Sequence, residues 1–277
     1  MTHITTIFIW FILYSILGWI WETVFCSLKG LKWDNRGMLI GPYCPIYGVG
    51  AVLDVLVCGR FESAVTVFLV CIIGSAVLEY ATSYSTERIF HAVWWDYSNM
   101  PLNLNGRICL PCSLGFGAAG IFVMYVLHPW MARLTDLIPL VWQEPLAMLF
   151  MAVFAADCAL TADSLIALNV KLEAVLSAVD NQISEKYSAF IESHYKGLHT
   201  ELGSLKNKIS MEEFREHRVK EEIKNALSVM NWGQRRALRS SVSFSRRSRY
   251  EEFGRRMKQT LSTYKNRKNE DSAAGEE

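Results

Sequence analysis

Five stretches of this chain, 4–26, 42–59, 63–83, 110–129 and 139–167, run with few charges, and each approaches the roughly 20 apolar residues that carry a helix across a bilayer. The pattern predicts an all-α fold, a polytopic membrane helical bundle of about five spans. The second stretch, GPYCPIYGVGAVLDVLVCG, is short and opens on Gly and Pro. It is expected to be broken or re-entrant, which lipid tolerates only where protein or water satisfies the loosened backbone. The first stretch has neither the basic n-region nor the A-x-A pattern of a signal peptide, and Glu22 interrupts its end. A retained span is expected there.

Beyond residue 167 the periodicity changes. Leu168, Leu172, Leu176, Val179, Ile183, Tyr187, Phe190, His194, Leu198, Leu202, Leu205 and Ile209 recur every three or four residues with charges between them, the spacing of a long amphipathic helix. Such a helix either folds back on another helix or self-associates as a coiled coil, although the run keeps no strict heptad. From Trp232 the chain becomes basic, RRALRSSVSFSRRSRYEEFGRRMKQ, and ends on polar NEDSAAGEE. The expected organisation is a transmembrane domain over 1–167, a cytoplasmic amphipathic, coiled-coil-like region over 168–230, and a basic, partly disordered tail over 231–277.

Charge sharpens this division. Up to residue 170 there are 7 Lys/Arg against 11 Asp/Glu, a net of −4, and the remaining 21 basic and 16 acidic residues give +5. Lys29, Lys32 and Arg36 lie in the first loop, and Arg88 and Arg107 in the third. Arg60 and Arg133 alone mark the other side. The positive-inside rule then puts the N-terminus outside and the tail in the cytoplasm of a multi-pass protein of the bacterial plasma (inner) membrane. A basic tail tethered to several spans is expected to meet anionic membrane lipid or a protein partner and not nucleic acid. Trp19, Trp21, Trp33, Trp94, Trp95, Trp130 and Trp142 lie near predicted span ends, where indoles prefer the interface.

In that topology the polar segments converge on the cytoplasmic side. Glu22 ends the first span, Asn35 and Arg36 lead into the second, Glu79 ends the third, and Asp96, Asn103, Asn105 and Arg107 precede the fourth. If the third helix continues past the membrane surface, Glu79, Ser83, Glu87 and His91 fall at i, i+4 steps on one face, and Glu87 would orient or charge-pair His91. The amides and Arg107 would bind an anion or brace the loop by hydrogen bonds to backbone. Within the spans Asp54, Asp157, Thr161 and Asp163 stand out, because an intramembrane carboxylate faces protein or water. Asp157 and Thr161 share a face beside Ala155, Ala156 and Ala159, as a hydrogen-bonded structural contact or as the lining of a polar path.

All seven cysteines, Cys26, Cys44, Cys58, Cys71, Cys109, Cys112 and Cys158, fall in the membrane half and read as reduced, small apolar residues. Glu79, Glu87, His91, Asp96, Cys44, Cys109 and Cys112 are able ligands, yet none has the spacing of a metal motif, so no metal or cofactor is expected. CLPC at 109–112 lacks the alternating strands of a thioredoxin-like redox site.

The strings LGWIWE (17–22), NRGMLIGPYCPIYGVG (35–50), LEYATSYSTERIFHAVWWDYS (78–98) and NLNGRICL (103–110) resemble the bacterial ABC-transporter type IV permeases, also called CmpB-type, over roughly residues 8–165. The resemblance implies a multi-pass permease. It supplies no substrate and no catalytic residues. The chain has no Walker A motif, so an ABC-type system built on it needs a separate ATP-binding subunit, expected to dock on 84–107, and the few short-looped spans imply a homo-oligomer. Two alternatives remain open: a membrane-embedded enzyme acting on a lipid or isoprenoid at the cytoplasmic interface, with Glu22, Glu79, Glu87, His91 and Asp96 as acid or base groups and Arg107 on the headgroup, and a non-catalytic scaffold.

Overall fold

A computed structural model describes residues 4–30, 37–195, 217, 219, 221–241, 243 and 244. Asn35, Arg36, the amphipathic positions from Leu198 to Ile209 and the polar tail beyond 244 lie outside the described residues. The helices of the first part are α1 (Ile4–Gly30), α2 (Pro45–Cys58), α3 (Ala64–Phe90), α4 (Leu110–Phe122), α5 (His128–Asp136) and α6 (Leu140–Tyr195), so the all-α expectation holds. Four helical stretches are long and apolar enough to cross a membrane: Ile4–Phe25, Ala64–Phe90, Leu110–Asp136 and Leu140–Val175. This fits a multi-pass membrane protein.

The second of the five expected stretches is the irregular one. Helix α2 has 14 residues and, at 1.5 Å per residue, reaches about 21 Å, short of the roughly 30 Å hydrocarbon core. Its Gly/Pro-rich entry is why. Residues 37–44 carry no helix, yet Leu39, Tyr43 and Cys44 are buried, and the Cys44 N–H donates to the Ser15 carbonyl at 2.9 Å. Pro45 starts the helix where its missing N–H is harmless. Helix α3 instead outruns its apolar window, continuing to Phe90, where Ser83 and Glu87 find a partner in Arg107.

The outward faces have the polarity of lipid-exposed helices. On α3, Val65, Leu69, Ile73 and Val77 follow one another at four-residue steps and are each more than half exposed, whereas Glu79 and Ser83 on the same helix are buried. Apolar outside and polar inside inverts the soluble pattern and matches a hydrocarbon surround. Between α4 and α5 a π-helical turn spans Val123–Leu127, immediately before Pro129, which has no N–H to close an α-turn onto Tyr125. Trp10 and Tyr14 on α1, Ala51 on α2 and Met131 on α5 form one core cluster.

Helices α1 and α2 meet closely through glycines. A Cβ on Gly48 would sit 2.1 Å from Ser15 Oγ and 2.4 Å from the Phe11 carbonyl oxygen, and one on Gly18 would sit 2.4 Å from Tyr47 Cβ. Backbone cannot yield as a flexible side chain tip can. Gly48→Ala is therefore expected to destabilise the membrane part by about 1–3 kcal/mol, read as a lower thermal midpoint in detergent, while Gly74→Ala, with nothing within 4 Å, leaves it unchanged or slightly raised.

The described residues group into two compact units that divide within α6, at Asp163/Ser164. In the second, Leu165, Leu168 and Leu172 of α6 are buried, as are Ile223, Ala226 and Leu227 of the helical stretch 221–228 and Ala237 and Leu238 of the helix Trp232–Ser240. The last helix opens with a reciprocal capping box. Asn231 Oδ1 accepts the Gln234 N–H at 2.8 Å and Gln234 Oε1 accepts the Asn231 N–H at 3.2 Å. Lys171 Nζ donates to that same Gln234 Oε1 and to the Val229 carbonyl, both at 2.8 Å. The start of the amphipathic run thus folds back on other helices of its own chain.

Candidate functional site

The residues that sequence reasoning singled out divide into four places. The first is a pair of carboxylates, Glu79 buried and Glu22 half-buried. The Tyr47 hydroxyl donates to Glu22 Oε1 at 2.6 Å, and the Tyr97 hydroxyl donates to Glu79 Oε1 at 3.2 Å. Glu22 stands near enough to bear electrostatically on Glu79, and Tyr97 also stands in hydrogen-bond contact with Cys112, which in turn meets Cys109. Glu79 is only 5% exposed, and its second oxygen, Oε2, is buried with no hydrogen-bond partner. Burial first, and the Glu79 charge second, push the Tyr97 hydroxyl above the ordinary phenol range, so it stays a donor at any physiological pH.

An orphaned buried oxygen is expensive for a fold to keep. Together with the neighbouring carboxylate it marks this place as one suited to a cation or to a hydrogen-bond donor. Glu79→Gln keeps an acceptor for Tyr97 and ends the electrostatic coupling to Glu22. The expected result is a thermal midpoint in detergent raised by about 2–4 °C, followed by tryptophan fluorescence; a fall of that size would make Glu79 a structural acceptor.

The second place is the loop from His91 to Cys109. It turns at Asn105 and Gly106, both at positive φ, with the Arg107 N–H donating to the Leu104 carbonyl at 3.0 Å. This is the Asn-Gly signature of a tight hairpin, and Asn103–Leu104 pairs antiparallel with Ile108–Cys109. The turn aims Arg107 back onto α3, where it pairs with Glu87 and donates to Ser83 Oγ at 3.0 Å. Its guanidinium also lies over the Tyr80 and Tyr84 rings, 5.8 and 5.5 Å from their centroids.

Several expectations about this loop change. Glu79, Ser83 and Glu87 do share an inward face, but α3 ends at Phe90 and His91 takes a left-handed cap conformation, exposed at the surface. Glu87 pairs with Arg107. Asp96 is exposed and accepts the Ser98 N–H at 3.0 Å and the Ser98 hydroxyl at 2.6 Å, closing a local turn. Asn103 donates to the Ser98 and Met100 carbonyls and accepts the Gly106 N–H, and Asn105 donates to the Tyr80 hydroxyl. Trp95 Nε1 donates to the Arg107 carbonyl at 3.0 Å. Of the two roles weighed for the amides, the hydrogen bonds are those of bracing.

The third place is Asp157. Its Oδ1 accepts the Ile40 N–H and the Thr161 hydroxyl, both at 2.9 Å, and its Oδ2 accepts the Gly41 N–H at 2.6 Å and the Tyr43 hydroxyl at 2.7 Å. Four donors saturate it. A carboxylate on α6 thus satisfies the unwound backbone entering α2, which is the condition lipid imposes on such a segment. Asp163 is not part of this; it is exposed six residues further along α6. The fourth place, Asp54, lies on α2 and accepts a hydrogen bond from the Cys71 thiol at 3.3 Å.

Sequence reasoning did not name Tyr43, Tyr47 or Tyr97, the hydroxyls that donate to Asp157, Glu22 and Glu79. Their signal was position: Tyr43 and Tyr47 sit in the Gly/Pro-rich entry GPYCPIYG of the second stretch, and Tyr97 sits in the polar string WWDYS.

Residues 9–162 match the family described as "Putative ABC-transporter type IV", more than half of the 277-residue chain. Neither the curated proteins nor the solved structures give a match.

Proposed function

Because this chain belongs to the ABC-transporter type IV family, we propose that it is the membrane-embedded permease subunit, or a transport-associated subunit, of an ABC-type system whose ATPase is a separate chain. The pair of Glu22 and Glu79 is its substrate-facing site. The observation that carries this reading is the partnerless Glu79 Oε2 inside a bundle whose other interior carboxylate of the same region, Asp157, is saturated. A site held ready for a ligand keeps such an atom; a purely structural one fills it.

The ATPase would dock on the His91–Cys109 loop. Supporting this, the loop is braced from within by Arg107, Trp95 and Asn103, yet it turns Met100, Leu102 and Leu104 outward, with Leu102 76% exposed. Leu102 is also held at φ 51, an uncommon conformation for a residue with a Cβ. A rigid polar loop presenting apolar tips fits a protein partner. The enzyme reading has less to draw on, since Arg107 is engaged by Glu87 and Ser83 and Asp96 by Ser98.

Isolation of the tagged chain from its native membrane in mild detergent tests the proposal. The expected result is a stoichiometric ATP-hydrolysing chain in the same complex. Isolation without one, under conditions that preserve the thermal midpoint, would overturn it in favour of an enzyme or a scaffold.

A further inference from the structure

A mixed cluster of soft and hard ligands lies away from the Glu22–Glu79 site, where the end of α2 meets the start of α3. Asp54, Cys58 and Cys71 bring one carboxylate oxygen and two sulfurs within 4.8 Å of one another. The two sulfurs are 3.9 Å apart and the Cys71 sulfur is 3.3 Å from Asp54 Oδ1. Cys58 and Cys71 are 0% and 2% exposed. A tetrahedral zinc ion with Zn–S near 2.3 Å and Zn–O near 2.0 Å spaces its sulfurs about 3.8 Å apart and sulfur from oxygen about 3.5 Å. Both distances to the Cys71 sulfur already stand near those spacings, and the Cys58 sulfur lies within 4.8 Å of the Asp54 carboxylate.

The surroundings favour a cation. Among the described residues no Lys, Arg or His forms an ion pair with Asp54, and its carboxylate rests on the Cys71 thiol alone. An intramembrane carboxylate with so weak a partner is costly unless positive charge joins it. Room is left by Gly120 on α4: a Cβ there would lie 2.4 Å from Cys71 Sγ and 3.4 Å from Asp54 Oδ2. Spacing along the chain hid the site. Cys58 and Cys71 are 13 residues apart on different helices, with no CxxC element between them.

We infer that Asp54, Cys58 and Cys71 bind one divalent ion of zinc type through two thiolates and a carboxylate, clamping the end of the short helix α2 onto α3. Both thiols give up their protons as the ion enters, and those two protons leave to solvent. Thiolate pairs select zinc over magnesium or calcium. Three protein ligands leave a fourth position for water or a small donor.

The test uses the full chain purified in mild detergent under reducing conditions, loaded with zinc, desalted and read by elemental mass spectrometry. Loading with cobalt(II) adds an optical readout. The expected result is one zinc per chain and a near-ultraviolet thiolate-to-cobalt charge-transfer band, both lost in Cys58→Ser/Cys71→Ser. Asp54→Asn keeps both thiols and is expected to keep the band while weakening zinc by at least the roughly tenfold that even an outer-shell ligand partner is worth. Wild-type protein holding no more zinc than the double variant would overturn the inference. So would an Asp54→Asn chain with unchanged zinc affinity, or recovery of Cys58 and Cys71 as a disulfide from membranes quenched with an alkylating agent.

Discussion

Asp157→Ala is expected to lower the thermal midpoint of the detergent-solubilised protein by on the order of 10 °C, or to prevent its accumulation in the membrane. The substitution strips the acceptor from four donors at once: the Ile40 and Gly41 N–H groups and the Tyr43 and Thr161 hydroxyls. Each buried donor left bare costs about 1–3 kcal/mol, and the sum, on the order of 5 kcal/mol, corresponds to that shift for a chain of this size. Limited proteolysis gives a local readout, since the segment 37–44 should become a cleavage site when its anchor is lost. Thr161→Ala removes one donor together with its bond and should cost no more than about 1 kcal/mol. Equal effects from the two substitutions would mean that Asp157 does not hold the entry of α2.

Arg107→Ala is expected to destabilise the loop and the end of α3 by about 3 kcal/mol. The pair it forms with Glu87 is mostly buried, with side chains 13% and 12% exposed, and removal of one partner leaves the other charge unpaired in a poorly solvated place. Glu87→Ala alone should be harmful for the same reason. The double variant should be less damaged than the sum of the two singles, with a coupling of about 1–3 kcal/mol in a double-mutant cycle. Arg107→Lys should not restore the wild-type midpoint, because an ammonium cannot fork between Ser83 and Glu87 while stacking on Tyr80 and Tyr84. Additive single effects would show that the two side chains do not act as a pair.

How much of this was legible in the sequence depends on how local each determinant is. The helices are local, and charge-poor windows locate them to within a few residues at most ends. The convergence of Glu22, Glu79 and the loop before α4 was legible because helix ends alternate sides. Helix α2 was legible as irregular, since Gly41, Pro42 and Pro45 declare it, but its partner Asp157 lies more than a hundred residues away and no local rule connects them. The end of α3 was not legible from periodicity: the i, i+4 series assumes that the helix continues to His91, and α3 stops one residue short of it. The Asn105–Gly106 turn was visible as a dipeptide, and its consequence, that Arg107 swings back over Glu87, needed the fold. The capping box at Asn231 and Gln234 shows the opposite case. Its two halves are three residues apart and could have been read directly.

A photo-crosslinking amino acid at position 102, with position 104 as a second probe, tests the transport reading most directly when activated in intact membranes. Leu102 and Leu104 are exposed and outside the braced interior of the loop, so the probe leaves the fold in place. If the His91–Cys109 loop couples a permease to its motor, the expected product is a covalent adduct to a separate ATP-binding chain, formed from both positions. Adducts only to lipid, or only to a second copy of this chain, from both positions in membranes where the protein is folded would contradict it.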